Sequence, residues 1–309
     1  MKTLVTGGAG FIGSHLVDRL LRDGHEVRVL DNFATGRREN ILPVSGEVEL
    51  VEGDIQSYER VHRAVAGCEV VFHQAALPSI PRSVQDPLTS NATNVIGTLN
   101  VLLGARDAGV RRVVFASSSS IYGLNQTLPK HETLVPLPIS PYGVAKLAGE
   151  GYCRSFHEVY ALEAVALRYF NVFGPRQDPL SQYAAVIPNF ITALMAGEPP
   201  TIFGDGEQSR DFTHIDNVIE ANVLAAASRR GVGDVFNIAA WQRTTLNELV
   251  DSLRTLLGSD LEPRYVAERL GDVKHSGADI GLAREVLGYQ PPVSFEVGLR
   301  RTVEFFDST

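Results

Sequence analysis

The stretch KTLVTGGAGFIG at residues 2–13 decides the fold. Lys2–Thr6 is a short, largely apolar run suited to a strand, and it leads directly into Gly7, Gly10 and Gly13. Glycines at this spacing permit a tight turn, close approach of a pyrophosphate, and close packing of strand on helix. From Phe11 the period changes: Ile12, Leu16, Leu20 and Leu21 share one helical face over Phe11–Leu21. The start of such a helix offers unpaired N–H groups and a positive dipole end to phosphates.

Working outward, the second strand, Glu26–Leu30, ends in Asp31, about 20 residues past the glycines. A carboxylate there accepts hydrogen bonds from the adenine ribose hydroxyls and repels a 2′-phosphate, which favours NAD over NADP. Arg37 and Arg38 lie nearby and could attract that phosphate instead. Further strands are predicted at Val48–Val51, Val70–His73, Arg112–Ser117 and Ala164–Tyr169, with helices between them. The alternation predicts an α/β fold with a doubly wound parallel (Rossmann) sheet. Asp54-Ile55 follows the third strand, where an adenine edge would lie; Asp54 could equally cap a helix over Gln56–Ala66.

Two longer helices are expected, near Asp86–Ala108 and Pro141–Val159. After Gly174-Pro175 the text becomes richer in proline and glycine, so residues 1–174 are expected to form the cofactor domain and 175–309 mainly a substrate lobe. Val235–Ile238 is expected to rejoin the main sheet, and Thr244–Leu257 and Phe295–Phe306 read as helices.

Candidate chemistry sits in two places. Tyr142 and Lys146 are four apart at the start of a predicted helix, so both side chains share one face. A lysine ammonium beside a phenol favours the phenolate. Moving a tyrosine from about 10 towards 7 takes roughly 4 kcal/mol. The strand Arg112–Ser117 runs out into Ser117-Ser118-Ser119-Ser120-Ile121-Tyr122-Gly123. Strand C-termini are where open α/β sheets place their ligands, and hydroxyls there could bridge a substrate hydroxyl to Tyr142.

The chain resembles the extended short-chain dehydrogenase/reductase family and, within it, the UDP-hexose 4-epimerases. The matching pieces are TGGAGFIG at 6–13, DN at 31–32, GDI at 53–55, HQAA at 73–76, NVIGTLN at 94–100, SSSSIYG at 117–123, SPYGVAK at 140–146, LRYFNVFGPRQDP at 167–179, GDGEQSRDF at 204–212 and GDVKHS at 271–276. They follow the family order and cover nearly the whole chain. The resemblance implies Tyr142 as catalytic base, Lys146 as its partner and Ser118 as the hydroxyl relay. It implies NAD held by Gly7, Gly10, Phe11 and Ile12, by Asp31, Asn32, Phe33, Thr35 and Gly36, and by Asp54 and Ile55. Gln74, Ala75, Ala76, Asn94, Ser117, Tyr142, Lys146 and Phe170 would complete that site, Phe170 beside the nicotinamide.

On the substrate side the resemblance implies Ser118, Ser119, Ser120 and Tyr142 around the sugar, and Asn171 towards the diphosphate. Gln177, Ala185, Val186 and Ser276 would line the pocket, while Arg210, Arg269 and Asp272 hold the diphosphate and uridine ribose. Taken alone, Arg210 and Asp211 could pair with each other, and Arg269 could lie on the surface. The family's helices equivalent to 86–108 and 140–159 form a four-helix dimer interface, so a homodimer is expected, with Val95, Leu99, Leu102, Leu103, Ala145, Ala148 and Tyr152 supplying apolar surface.

Composition narrows the rest. The 309 residues carry a net charge of −8, which argues against a general nucleic-acid binder. Two cysteines, Cys68 and Cys153, are too few for a disulfide framework or a zinc site, and no metal is expected. No apolar run approaches the ~20 residues that span a bilayer. A strand beginning at Lys2 leaves no room for a leader, so a cytoplasmic location is expected.

Rival readings turn on single positions. A nucleotide-sugar 4,6-dehydratase carries an Asp-Glu pair after the hydroxyl residue, where this chain has Ser119 and Ser120. UDP-glucuronate decarboxylase or 4-epimerase shares the fold and triad, and a non-catalytic NAD-binding sensor is the alternative from another class. RQDP at 176–179, the segment Tyr183–Pro188 and GDVKHS resemble enzymes that accept N-acetylated sugars, although Pro78 stands where many of those have glycine.

Overall fold

The computed structural model describes residues 1–179, 185–268 and 274–308. Its first half runs β1 (Lys2–Thr6), α1 (Phe11–Arg22), β2 (Glu26–Asp31), β3 (Val48–Glu52), α2 (Tyr58–Val65), β4 (Val70–His73), α3 (Ile80–Gln85), α4 (Pro87–Asn91), α5 (Gly97–Asp107), β5 (Arg112–Ser118), α6 (Pro141–Tyr160) and β6 (Glu163–Tyr169). The second half continues with β7 (Val172–Phe173), α7 (Val186–Met195), β8 (Thr201–Phe203), β9 (Ser209–Arg210), β10 (Thr213–His214), α8 (Ile215–Ala227), β11 (Val235–Ile238), β12 (Thr244–Thr245), α9 (Leu246–Leu257), β13 (Arg264–Val266), α10 (Gly281–Leu287) and α11 (Phe295–Asp307).

Seven strands form one sheet in the order β11-β6-β5-β4-β1-β2-β3, with every pairing parallel. This is the doubly wound Rossmann architecture. The inner strands β1, β4 and β5 are buried along nearly their whole length, as a parallel sheet covered on both faces requires. β3 closes one edge, with Glu49 and Glu52 exposed along it, and charged residues on an edge strand keep it from pairing further. Strand order reverses between β1 and β4, and the crevice at that switch point is where ligands bind in such sheets.

One core packs α1 and α8 on the sheet through Leu16, Val17, Val218 and Ile219. The other packs α2, α5 and α6 through Val61, Val101, Leu102 and Phe156. A third core lies off the sheet, where Ile187, Ile191, Leu249, Leu253 and Leu299 join α7, α9 and α11 around Phe173, Phe212 and Phe295. Both cysteines are free and buried. Among the described residues, no helix is long and apolar enough to cross a membrane, and no cluster of His, Cys, Asp and Glu is placed to hold a metal.

Three elements differ from the sequence expectation. The helix foreseen over 86–108 contains a π-helical turn at Ala92–Ile96. Within it Asn94 is buried, its carboxamide accepting from Leu77 N at 2.8 Å and donating to Leu77 O at 3.1 Å. The helix foreseen over 56–66 starts later, capped by Ser57, while Asp54 forms a turn by accepting Gln56 N at 2.8 Å. Thr244–Thr245 is extended and pairs with β9; Thr245 then caps α9 through a reciprocal capping box with Glu248.

Candidate active site

The glycine turn is built for a phosphate. Gly7 has φ +69°, and a Cβ there would lie 2.7 Å from the Ala75 backbone. A Cβ on Gly13 would lie 2.0 Å from Gly7 O, so any side chain would push α1 off β1. Gly10 is the N-cap of α1, which has no side-chain cap and no acidic residue in its first turn. The first N–H groups of α1, from Phe11 and Ile12 onward, are thereby left for an anion.

Asp31 ends β2 almost fully buried, its carboxylate accepting from Ala9 N at 2.9 Å and Phe33 N at 2.8 Å. Burial raises its carboxyl above the usual range, and these two bonds oppose that. Gly36 is packed directly on it, and Thr35 is exposed beside it. Asn32 donates to Asp54 at 2.8 Å, joining the two loops that flank the adenine edge. The two arginines that could have drawn a 2′-phosphate are engaged: Arg37 with Asp178 at 2.6 Å and Arg38 with Glu52 at 2.7 Å. Cradle, acid and paired arginines together fit NAD.

Other expected cofactor residues act at one remove. The Gln74 amide donates to Tyr169 Oη at 3.2 Å and to Asn222 at 3.0 Å, which fixes the turn carrying Ala75 and Ala76. Asn94 holds the Leu77 backbone, as described above. Ile55 is core, packed on Gly97. Ser117 donates its hydroxyl to buried Glu150, so that hydroxyl faces the core. Phe170 is 0% exposed, its ring tilted at 41° to that of Tyr122 with centroids 6.1 Å apart.

The reactive groups meet where β5 ends against α6. Ser140 caps α6 by accepting Gly143 N at 3.1 Å, and Pro141 takes the first helical position. The Tyr142 N–H is received by Ser83 at 3.1 Å. Ser118 is near enough to the Tyr142 phenol to draw its titration down, and its hydroxyl donates to Ser120 Oγ at 3.1 Å. Ser119 and Ser120 lie in the single turn Ser119–Ile121 that leaves β5. Lys146 is buried, donates to Ala116 O at 2.6 Å, and stands 5.8 Å from the centroid of the Tyr142 ring.

In the protein alone, burial governs the titration of this pair. It pushes the Tyr142 phenol up to about 12, with Ser118 pulling the other way. Burial also pushes Lys146 down to about 8. Both directions follow from desolvation of the charged form.

Behind the pair lies a buried ionic network. Glu150, one turn beyond Lys146, receives Arg168 at 2.9 and 2.8 Å, and both side chains are 5% exposed. Arg168 also donates to Tyr122 Oη at 2.8 Å, which donates to Asn237 at 2.7 Å. The chain thus ties α6, β6, the turn after β5 and β11 together. Nothing in the sequence marks Glu150 as buried.

A cleft of about 590 Å³ opens between α7, β8 and β9. Val186 and Arg210 line it, as do Phe190, Phe203, Gln208 and Arg264, which sequence reading missed. Gln208 stands two before Arg210 in GDGEQSRDF, and that strand spacing was a usable signal. The phenylalanines read as ordinary core. Gln208 donates to Phe203 O at 2.5 Å, and its Oε1 is buried with no partner among the described residues. Arg210 donates to the Ser209 and Lys274 carbonyls, while Asp211 receives Ala240 N at 3.0 Å.

Asn171 donates to Asp211 O at 3.2 Å, and Gln177 to Val172 O at 3.2 Å, with Gln177 Oε1 buried and unpartnered among the described residues. Ala185 is exposed at the N-cap of α7. Ser276 is half-buried, its N–H donated to Ser209 O at 2.9 Å. Arg269, Asp272 and Tyr183 lie outside the described residues.

Residues 3–239 match the NAD dependent epimerase/dehydratase family. The chain is 43% identical to a UDP-glucose 4-epimerase of Mycolicibacterium smegmatis, over 99% of this chain and 98% of that protein. The structure superposes with TM-score 0.95 on a UDP-glucose 4-epimerase from Thermotoga maritima solved with UDP-glucose, at 43% identity, covering 100% of this chain and 99% of that one. A UDP-N-acetylglucosamine 4-epimerase from Methanobrevibacter ruminantium, in complex with UDP-N-acetylmuramic acid, matches equally, with TM-score 0.95, 43% identity and coverage of 99% and 98%.

Proposed function

The chain belongs to the NAD dependent epimerase/dehydratase family, and from that membership we propose that it is a UDP-hexose 4-epimerase acting through a transient 4-keto sugar. The observation that carries the reading is the juxtaposition of Ser118, Tyr142 and Lys146 where β5 ends against α6, with serines at 119 and 120. Serines cannot serve as the acid and base that elimination of water from the sugar requires.

NAD, which the glycine turn and Asp31 would hold, would supply the hydride acceptor for C4 and the donor for its return. Tyr142, assisted by Ser118, takes the C4 hydroxyl proton as that carbon is oxidised. It returns the proton when the keto sugar, turned over in the pocket, is reduced on its other face. Lys146, protonated at neutral pH, contributes positive charge to the phenolate state, and the positive nicotinamide end of the cofactor site adds to it. Nucleotide contacts must be firm while sugar contacts stay permissive. The cleft suits the first need: Phe190 and Phe203 offer apolar faces, Gln208 a buried acceptor, and Arg210 and Arg264 cations for a nucleoside diphosphate.

Ser276, together with similarity to both a UDP-glucose 4-epimerase and a UDP-N-acetylglucosamine 4-epimerase, supports turnover of both plain and N-acetylated UDP-hexoses. The test is one chromatographic assay of UDP-glucose, UDP-N-acetylglucosamine and UDP-glucuronate. Formation of UDP-galactose and UDP-N-acetylgalactosamine is expected. Conversion of UDP-glucuronate with neither hexose turned over would overturn the reading, as would NAD binding without any turnover.

A further inference from the structure

The loop after β2 brings two cations to the adenosine end of the cofactor site. Gly36 packs on Asp31, a Cβ there lying 3.1 Å from Asp31 Oδ1. Arg37 follows immediately, its N–H fixed to Ala9 O at 2.9 Å. A guanidinium in this place is the feature that accommodates a 2′-phosphate. Each arginine is instead met by a carboxylate. Glu52, from the neighbouring strand β3, holds Arg38.

The partner of Arg37 comes from far away in sequence. Asp178 belongs to the segment that follows β7, and that segment is pinned to the cofactor half. His15 bonds Pro175 O at 2.9 Å, and Arg176 pairs with Asp18 at 2.7 Å. The Asp178 carboxylate is therefore delivered to Arg37 by structure already in place.

We propose that Asp178 is a specificity-determining residue for the cofactor: it holds Arg37 and, with Asp31, excludes NADP by presenting two carboxylates where a 2′-phosphate would enter. The Arg37 and Asp178 side chains are 48% and 38% exposed, so as a bridge the pair adds little to stability. Its effect on selectivity comes from charge. A 2′-phosphate would have to displace Asp178 from Arg37 and lie close to both carboxylates, whereas the 2′-hydroxyl of NAD meets Asp31 alone. Removing the Asp178 charge acts twice in the same direction for NADP, by lowering repulsion and freeing a guanidinium, and hardly at all for NAD. The inference rests on the family's cofactor and on Asp31 facing the ribose, independently of which sugar is epimerised.

The test equilibrates the purified protein with equimolar NAD and NADP and measures the bound ratio after acid extraction. Asp31→Ser should raise bound NADP relative to NAD. Adding Asp178→Asn should raise the ratio about tenfold further, the size of one hydrogen-bonded charge contact. Adding Arg37→Gln should remove most of that gain, leaving only the share that comes from lowered repulsion, and Asp178→Glu in place of Asp178→Asn should leave the Asp31→Ser value unchanged. NAD retained by each variant reports that it is folded. If Asp178→Asn leaves the ratio unaltered, or raises it equally without Arg37, the proposal falls. Should Asp31→Ser by itself have no effect, the ribose reading of Asp31 fails, and Asp178→Asn in the native background decides the proposal by the same ratio.

Discussion

Lys146 donates its ammonium to the carbonyl of Ala116 at 2.6 Å, two residues before Ser118 on β5. One bond thus fastens the helix that carries Tyr142 to the strand that carries Ser118. The ammonium lies on the core side of the phenol, 5.8 Å from its ring centroid. The lysine's place in the site is thus one of position and charge, while Ser118 is the group that draws the phenol's titration down. The proposed base and relay are set by two different elements, and Lys146 keeps them in register.

That division predicts unequal losses. Tyr142→Phe removes the group that exchanges the proton and should lower turnover at least about 10³-fold. The glycine cradle and Asp31 are untouched, so extraction should still find NAD in the purified variant. Ser118→Ala should lose less, because Tyr142 reaches the sugar unaided. Turnover of Tyr142→Phe within tenfold of the native protein would sink the assignment.

Behind the site, Glu150 and Arg168 form a pair with both side chains 5% exposed. Glu150→Gln would leave a buried guanidinium without its counter-charge, a loss of about 3–5 kcal/mol. Replacing both with apolar residues, Glu150→Leu and Arg168→Met, should destabilise less than the single change. Urea denaturation of the three proteins measures this. A single variant within about 1 kcal/mol of the native protein would contradict the account.

The cofactor half was legible because its chemistry is local. Three glycines, a strand on one side and a helix on the other determine the phosphate turn, and Asp31 follows at a fixed distance. The Tyr142–Lys146 spacing is likewise one helical turn. Relations between distant residues were not legible. Glu150 reads as a solvent-facing helical glutamate until β6 brings Arg168 against it, and Arg37 reads as free until the segment after β7 delivers Asp178. The phenol's titration also depends on burial, which spacing does not encode. Phe190 and Phe203 became cleft walls because β8 and α7 leave a gap there, and no pattern separates such residues from core.

Acid should weaken the fold through two neutral histidines. His73, between Thr6 and Thr98, is pushed down to about 3 by burial. His214 is pushed down to about 4, again mainly by burial. Below pH 6.5 the unfolded chain binds protons at both that the folded chain refuses, so stability falls as pH falls, by about 1.4 kcal/mol per unit for each. Asp211, raised to about 6 by burial, has the opposite sign: below pH 6 the folded state takes its proton first, down to 3.8. Two histidines against one carboxyl leave a net loss of about one proton, roughly 1.4 kcal/mol per pH unit, between pH 6 and 5. Urea unfolding at pH 7, 6 and 5 reads it, and His73→Asn should flatten the slope by about one proton. An unchanged slope in that variant would refute the assignment.

Assembly gives a further test. Leu102 and Ala145, expected at an interface, are core residues, 0% and 2% exposed. Apolar residues left exposed towards the start of α6, on α4 and on the π turn include Leu88 at 83%, Val144 at 53% and Ile96 at 45%. With α4 and α5 packed beside α6, these residues offer a face that a second copy would cover, and a homodimer is expected. Light scattering should give about twice 33.6 kDa, and Leu88→Glu with Val144→Glu should give the monomer. A native protein that is monomeric at micromolar concentration would dismiss this face.

The sugar preference is expected to turn on Ser276. In UDP-galactose epimerases that reject N-acetyl sugars, the position four beyond the GD aspartate, Asp272 here, is often a bulky tyrosine. Ser276 is half-buried and its backbone is fixed to Ser209, the residue before cleft-lining Arg210. A tyrosine at this place could not withdraw by moving its backbone, and its ring would overlap an acetamido group at C2. Steric exclusion can be worth a few kcal/mol, against about 1–3 for filling a pocket less well. Ser276→Tyr should therefore abolish interconversion of the N-acetylated pair while leaving UDP-glucose and UDP-galactose exchange within a few-fold. Chromatography of both pairs with native and variant protein decides it. An unchanged substrate ratio would mean that the side chain lies away from the sugar, and an equal loss on both pairs would point to general damage; either result defeats the gate.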